Sequence, residues 1–279
     1  MPSTTTHALP TNPRLSGFQS AAAPPGFAAT VGDGAGSATA APAPRAAPRR
    51  EAPARVLDRY DVFPHIEDRL TMTVREWLVY HWTMHRHFTK YLGLKVLKTP
   101  FDWIVLGDIL QDTRPEVVIA IGCYEGGDTL WMAHLLDRLD YPCQIIGIDL
   151  SPTPLSIEHP RISWVIGDAT DSQTVARVAE ICAGRRGMVI EDSDHKYTVT
   201  RELLTLYERF VAPDCYFIVE DTIVDYIQMP PFPGPMKAVD EFVAARRGQF
   251  VVDRSREKYI VTHNPKGYLL RVGENGAAR

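Results

Sequence analysis

The sequence predicts an α/β fold: a mostly parallel sheet with helices on both faces, an antiparallel C-terminal strand and an N-terminal helical cap. Three observations predict it. From Arg114 onward, short apolar runs alternate with amphipathic segments. The apolar runs are continuous, as in strands covered on both faces, and do not alternate with polar residues. Several of these runs stop abruptly on a glycine or an acid.

Residues 1–55 differ from the rest, with nine of the 22 prolines and few large apolar side chains. Such a segment cannot bury enough surface to offset its ordering entropy, so it reads as a disordered Ala/Pro-rich tail. Its arginines, Arg45, Arg49, Arg50 and Arg55, read as solvated charge. Residues 56–110 form the N-terminal helical segment. "TVREWLVYHWTMHRHFTKYLG" has a helical period and ends on Gly93, a C-cap signal. His81 and His85 lie one turn apart and could share a metal, but no Glu follows His81 and the neighbours are aromatic, so packing is the reading. "KTPFDWIVLGDIL" turns at Pro100 and continues as a helix through Leu110.

Residues 111–279 carry the sheet. "EVVIAIG", "CQIIGIDL", "ISWVIGDA", "GMVIED" and "CYFIVED" read as strands. "DTLWMAHLLDRL", "SQTVARVAEIC", "TVTRELLTLYERF" and "MKAVDEFVAARR" read as helices. "QFVVDRSREKYIVTHN" and "KGYLLRV" read as strands that return antiparallel.

Bulk properties narrow the function classes. A net charge of −4 argues against a general nucleic-acid or membrane binder. No apolar run reaches the roughly 18 residues of a membrane span. The start of the chain lacks the pattern of a secretory signal. Four separated cysteines, Cys123, Cys143, Cys182 and Cys215, favour buried free thiols in a reducing, cytoplasmic setting.

Ligands of such sheets bind at the carboxyl ends of the strands. The first strand ends "AIGCYEGGDT", where Gly122, Gly126 and Gly127 permit a tight turn into a helix N-terminus, which favours an anionic group. The spacing is not G-x-G-x-x-G, so a dinucleotide is not the first choice. The second strand ends on Asp149, 27 residues after Gly122, placed to accept ribose hydroxyls. The third ends on Asp168, within reach of an adenine amino group. The ordered set points to an adenosine cofactor. The fourth and fifth strands end on Asp192 and on Glu220–Asp221. Carboxylates converging there repel unless a cation or proton intervenes, and oxygen ligands suit Mg2+. Helix capping and exposed loop acids are the bland alternative. His195 follows on the turn and can accept a proton from a metal-bound hydroxyl, with Lys196 the rival base. Glu191 is expected to point away, and Asp194 to serve the cofactor or the turn.

This order of glycine turn, "GID", "GD", "DSDH" and "VED" resembles the class I S-adenosylmethionine-dependent methyltransferases, with their Rossmann-like sheet. "KTPFDWIVLGDIL", "GGDTLWMA", "DSDHKYTVTRELLTLYERFV", "YFIVEDT", "GPMKAVDEFV" and "REKYIVTHNPKGYL" narrow it to the cephalosporin hydroxylase / rhamnosyl O-methyltransferase family, over roughly residues 94–270. The resemblance implies methyl transfer to a hydroxyl of a small antibiotic-type natural product, a sugar first and a β-lactam or phenolic scaffold second. It implies S-adenosylmethionine at Gly122, Cys123, Glu125, Gly126, Gly127, Asp149 and Asp168. It implies Mg2+ on Asp192, Glu220 and Asp221, a base at His195, and a homo-oligomer. Two positions depart from the family: Ala120 stands where an acid is usual, and Asp128 where serine follows the paired glycines. An acid facing the methionine carboxylate is unfavourable, so Asp128 is expected to turn away or to meet the amino group. The loop "PPFPGP", residues 230–235, reads equally as an acceptor cover and as a stiff connection.

Other classes stay open on the residues alone. A metal-dependent hydrolase would use the same acids with a bound water, but would not need Asp149 and the glycine turn. A nicotinamide oxidoreductase would want G-x-G-x-x-G and no carboxylate trio. A non-catalytic binding protein would tolerate Ala120 and Asp128.

Overall fold

The computed structural model describes residues 66–152, 156–228 and 232–273, without the side chains of residues 66, 68 and 84–87. The tail at 1–55 and the first part of the helical segment, 56–65, lie outside the described residues.

Two helices, α1 (Ile66–Thr71) and α2 (Val74–Phe88), lead into a small antiparallel hairpin, β1 (Lys90–Tyr91) and β2 (Leu94–Lys95). The helix predicted to run to Gly93 therefore stops at Phe88. Gly93 is the second residue of the hairpin turn, not a helix cap. Leu92 and Gly93 both have positive φ, 48° and 91°, as a two-residue hairpin turn requires.

Helix α3 (Pro100–Thr113) starts where Thr99 accepts the Asp102 N–H and Pro100 fills the first turn. It runs one turn beyond the predicted Leu110, because no breaker precedes the left-handed Arg114 and Pro115. α3 thus crosses the boundary drawn at residue 110, and its Val105, Leu106, Ile109 and Leu110 belong to the main core.

The elements that follow are β3 (Val117–Ile121), α4 (Gly127–Leu139), β4 (Gln144–Asp149), β5 (Ile162–Ile166), α5 (Ser172–Cys182), β6 (Gly187–Glu191), α6 (Tyr197–Tyr207), β7 (Tyr216–Val219), α7 (Val224–Ile227), α8 (Pro235–Ala245), β8 (Phe250–Val252) and β9 (Tyr268–Arg271). The seven-stranded sheet has the order β5-β4-β3-β6-β7-β9-β8. β5, β4, β3, β6 and β7 are parallel, and β9 is antiparallel to both β7 and β8. β8 therefore points the same way as the parallel five, and only one of the two C-terminal strands runs against them. The long predicted strand from Gln249 to Asn264 shrinks to three residues, because Asp253 accepts the Ser255 N–H and starts a 3-10 turn.

Every residue of β3, β6 and β7 is buried, which explains their unbroken apolar runs. Full burial of one such Val or Ile stabilises by about 1.5–3 kcal/mol. A second cluster joins Leu78 and Trp82 of α2 to Ile223, Val224 and Ile227 around α7. All four cysteines are buried and free.

The sheet order reverses direction at β3, between β4 and β6, which opens a crevice at the carboxyl ends of β3 and β6. The register aligns those ends. Ile121 pairs with Glu191, and Glu191 with Val219. The Asp192 N–H donates to Ile121 O (2.9 Å) and the Glu220 N–H to Glu191 O (2.9 Å). Gly122, Asp149, Asp192 and Glu220 consequently share one rim.

Candidate active site

That rim opens into a cavity of about 750 Å3. The β3–α4 turn, Asp149, Asp168, Asp192, His195 and Asp221 all line it.

Gly122 is the tightest point. Its φ is +83°, and a Cβ there would stand 2.1 Å from the Asp192 carbonyl oxygen. Glycine thus lets the end of β3 press against the end of β6. At Gly127 the crowding is different: a Cβ would meet the Lys95 carbonyl at 2.7 Å, under the β1–β2 hairpin. Gly126 caps α4 with a left-handed backbone.

Asp149 accepts the N–H groups of Cys123 (2.8 Å), Tyr124 (2.7 Å) and Ser151 (2.8 Å). It therefore holds the glycine turn in shape while facing the cavity. Glu125 accepts the Lys95 N–H (2.9 Å), which ties the turn to β2. The Cys123 thiol is pushed up to about 12 by burial and is inert as a nucleophile. Asp168 accepts the N–H and the hydroxyl of Thr170 (both 2.8 Å), and the Thr170 N–H bond is the chief cause that lowers its carboxyl below the usual range. Asp168 itself lines the cavity.

Asp192, His195 and Asp221 each offer a ligand atom, and these atoms lie within 4.8 Å of one another. His195 Nε2 is 3.3 Å from Asp221 Oδ2, and His195 Nδ1 is buried without a hydrogen-bond partner among the described residues. His195 and Asp221 both sit in the left-handed region, each with φ of 56°. Such backbone costs on the order of 1–2 kcal/mol for a non-glycine residue and persists where the surroundings demand it.

Glu220 does not join this group. Sequence reasoning placed it beside Asp192 and Asp221 as a metal ligand, whereas its buried carboxylate takes the ammonium of Lys98. Lys98 is 3.4 Å from Asp192 Oδ2 and 3.6 Å from Asp128 Oδ2, and its side chain is only 4% exposed. Burial works to lower the Lys98 pKa, but Asp128, Glu220 and Asp192 together hold it well above the usual lysine value. Burial, with the neighbouring acids, pushes Asp192 up to about 8 against the pull of Lys98, and Glu220 rises for the same reasons. For Asp221 burial is again the largest influence, yet His195, His263 and Lys98 outweigh it and the carboxyl is lowered.

Asp128 faces Trp103 and Lys98: it accepts the Trp103 Nε1–H at 2.6 Å. This is where the acid expected to avoid the methionine end is used. Glu191 is fully buried and accepts from Ser193 and from Thr200 (3.3 Å), so it braces the turn from beneath the rim. Asp194 serves the turn, accepting the Lys196 N–H (3.1 Å) and pairing with the Lys196 ammonium at 2.5 Å. Lys196 is thereby directed to the surface, and of the two rival bases only His195 lines the cavity.

Sequence reasoning passed over three residues. Lys98 is one. His263 is the second: its Nδ1 stands 3.3 Å from Asp221 Oδ1, so that two histidines bracket one carboxylate. His81 and Trp82 pack against it, with ring centroids at 5.2 and 5.5 Å. His81 therefore acts in packing, and the side chain of His85 lies outside the described residues. The third is Asp102, which accepts the His263 N–H (3.0 Å) and fastens that loop to α3. The local spacing Thr99-x-x-Asp102 signals only a helix cap, and the partners of Lys98 and His263 lie in segments distant in sequence.

Of the loop "PPFPGP", residues 230 and 231 lie outside the described residues. The remainder is tethered, since Asp225 accepts the N–H groups of Gly234 (2.7 Å) and Met236 (2.8 Å) and so caps α8.

Comparison with known proteins agrees with this architecture. A rhamnosyl O-methyltransferase from Mycobacterium leprae (strain TN) is 25% identical over 190 residues, covering 66% of this chain and 83% of that protein. An apo structure of CmcI superposes with a TM-score of 0.55 at 22% identity, covering 83% of this chain and 89% of that one. A CmcI structure described with Mg and SAM gives 0.54 at 23% identity, with the same coverage. At these identities the structures speak to the fold, which is that of the class I methyltransferases. The family model for rhamnosyl O-methyltransferase/CmcI matches residues 83–272, from the middle of α2 to the end of the sheet, and the chain belongs to that family.

Proposed function

We propose that the chain is a Mg2+-dependent O-methyltransferase that moves a methyl group from S-adenosylmethionine to a hydroxyl of a small natural product, with a sugar of a glycosylated metabolite as the acceptor. One observation carries the reading. A single cavity is lined by a glycine turn, two strand-end acids and an acid–histidine cluster. Family membership supports the reaction type, and the activity named for the Mycobacterium leprae relative supports the sugar.

The residues fit both groups. The cavity lies within the range of about 300–1,000 Å3 usual for small-ligand sites. The carboxylates of Asp192 and Asp221, within 4.8 Å of each other and of a His195 ring nitrogen, make an oxygen donor pair that suits a hard divalent cation. S-adenosylmethionine supplies an activated methyl group, and Mg2+ acidifies and orients an acceptor hydroxyl. The rest falls to the protein. The β3–α4 turn, at the N-terminus of α4, receives the charged methionine end. Asp149 and Asp168 accept hydrogen bonds from the nucleoside. Asp192 and Asp221 hold the metal. His195 takes the acceptor proton, and Asp221, 3.3 Å from its Nε2, stabilises the imidazolium.

The test is calorimetry with S-adenosylmethionine, with and without Mg2+, followed by mass spectrometry of rhamnosylated acceptors. Metal-dependent transfer to a sugar hydroxyl is expected. Absence of S-adenosylmethionine binding would overturn the reading. Transfer to a phenolic or β-lactam scaffold alone would replace the acceptor, and binding without transfer to any acceptor would favour an accessory protein.

A further inference from the structure

Lys98 is an odd residue to find at a cation site. Its side chain is 4% exposed, and its ammonium reaches Glu220, Asp192 (3.4 Å) and Asp128 (3.6 Å). A buried ammonium is tolerated only when paired, and these acids pair it. Yet Asp192 also belongs to the cluster able to take a divalent ion, and Glu220 is kept out of that cluster by the lysine. An ammonium and a divalent cation repel at such distances, so both cannot keep the same carboxylates.

We propose that Lys98 is a resident counter-ion and positioning residue of the metal site, which holds Glu220 until a divalent cation claims it, and that Asp128 receives the ammonium in the exchange. This rests on the metal-dependent reading above. Lys98 precedes Thr99, the N-cap of α3, so its backbone is anchored and the exchange needs only side-chain rotation. Asp128 is a fixed acceptor, held by the Trp103 Nε1–H at 2.6 Å. Its carboxylate contacts Lys98 but is outside the Asp192–His195–Asp221 group, as a receiving partner must be. The arrangement also accounts for an acid at a position where serine is expected: Asp128 matches the charge of Lys98. The acids of the metal-free site thereby keep one fixed counter-ion, and metal uptake is weakened by a competitor built into the chain.

The test is a titration of Mn2+ alone into the full chain at pH 8 and low ionic strength, where protons compete least. Lys98→Met is expected to tighten Mn2+ binding by about tenfold or more. Its metal-free melting temperature should fall, and Mn2+ should raise it by more than in the parent protein. Unchanged or weaker Mn2+ affinity in Lys98→Met overturns the proposal. Should that variant fail to fold, Asp128→Asn carries the test. It keeps an oxygen for Trp103 but offers Lys98 no charge, and Mn2+ should bind at least about threefold more weakly; unchanged affinity overturns the proposal. In the Lys98→Met background this loss should disappear, and an equal loss in both backgrounds shows a plain charge effect and also overturns it. If the parent protein takes up no Mn2+ and Asp192→Asn changes nothing, the metal reading falls together with the proposal. If the parent binds Mn2+ and Lys98→Met binds it no more tightly, only the proposal falls.

Discussion

Asp102→Asn tests how the site is held together. Asp102 is 2% exposed and accepts four hydrogen bonds, two on each oxygen. Tyr268 OH (3.0 Å) and Thr262 Oγ1 (2.5 Å) donate to Oδ1, and Thr99 Oγ1 (2.7 Å) and the His263 N–H (3.0 Å) donate to Oδ2. Asparagine keeps one oxygen and so two of these bonds. Its amide N–H can turn to the Thr99 hydroxyl oxygen, but then a donor faces the His263 N–H. A hydrogen bond to a charged group contributes roughly 1.5–3 kcal/mol, and an unsatisfied buried donor costs about 1–3 kcal/mol. The expected loss is about 3 kcal/mol, or about 6–12 °C in melting temperature for a folded part of this size. Urea unfolding followed by tryptophan fluorescence would read it as a lower midpoint at unchanged slope. The loop that carries His263 loosens with it, so Mn2+ affinity should fall about tenfold through Asp221, as loss of a residue supporting a metal ligand does. A stability loss under about 0.5 kcal/mol would refute the view that this carboxylate clasps the 262–268 loop to α3.

Four further outcomes are expected. His195→Asn should lower kcat by about 10²–10⁴ while S-adenosylmethionine affinity, read by calorimetry, stays within about threefold; a kcat within twofold of the parent would exclude His195 as the base. Asp192→Ala should abolish turnover but spare most of the cofactor affinity, and chelation of divalent metal should do the same to the parent protein; full activity in either case would exclude the metal. Gly122→Ala should destabilise by more than about 3 kcal/mol, since a left-handed backbone and a Cβ 2.1 Å from Asp192 O combine, and a thermal melt within 2 °C of the parent would contradict the close approach. Asp253 gives a pH signature. Burial acts to raise its carboxyl, but Ser255, Tyr216 and Arg256 outweigh it, so the folded pKa lies below the unfolded 3.8. The folded state then binds fewer protons, and the stabilisation is present above about pH 4 and is lost as pH falls through the folded value. The stability gap between the parent and Asp253→Asn should be full at pH 7 and close as pH falls below 3.8 through the lower folded value; a gap that widens on acidification would reverse the assignment.

The alternation of buried strands and amphipathic helices was legible in the chain, because continuous apolar runs and helical periods are local properties. The shared rim of Gly122, Asp149, Asp192 and Glu220 was legible too, since parallel strands joined by right-handed crossovers bring their carboxyl ends to one edge. Short elements were less legible. The Leu92–Gly93 hairpin and the Asp253 turn each ended a pattern that periodicity alone would have continued. Which acids meet which cations was decided only by the tertiary structure. Lys98 finds Asp192 and Glu220 across 94 and 122 residues, and Asp102 finds the His263 N–H across 161. Lysine and aspartate are ordinarily surface residues, so the local sequence of Lys98 and Asp102 does not announce burial. The sequence by itself determined the sheet, its ligand rim and the acids placed there. Packing the segment before α3 and the 262–268 loop over that rim turned Glu220 to Lys98 and gave Asp221 its second histidine, because only the folded chain sets the distances on which charge pairing depends.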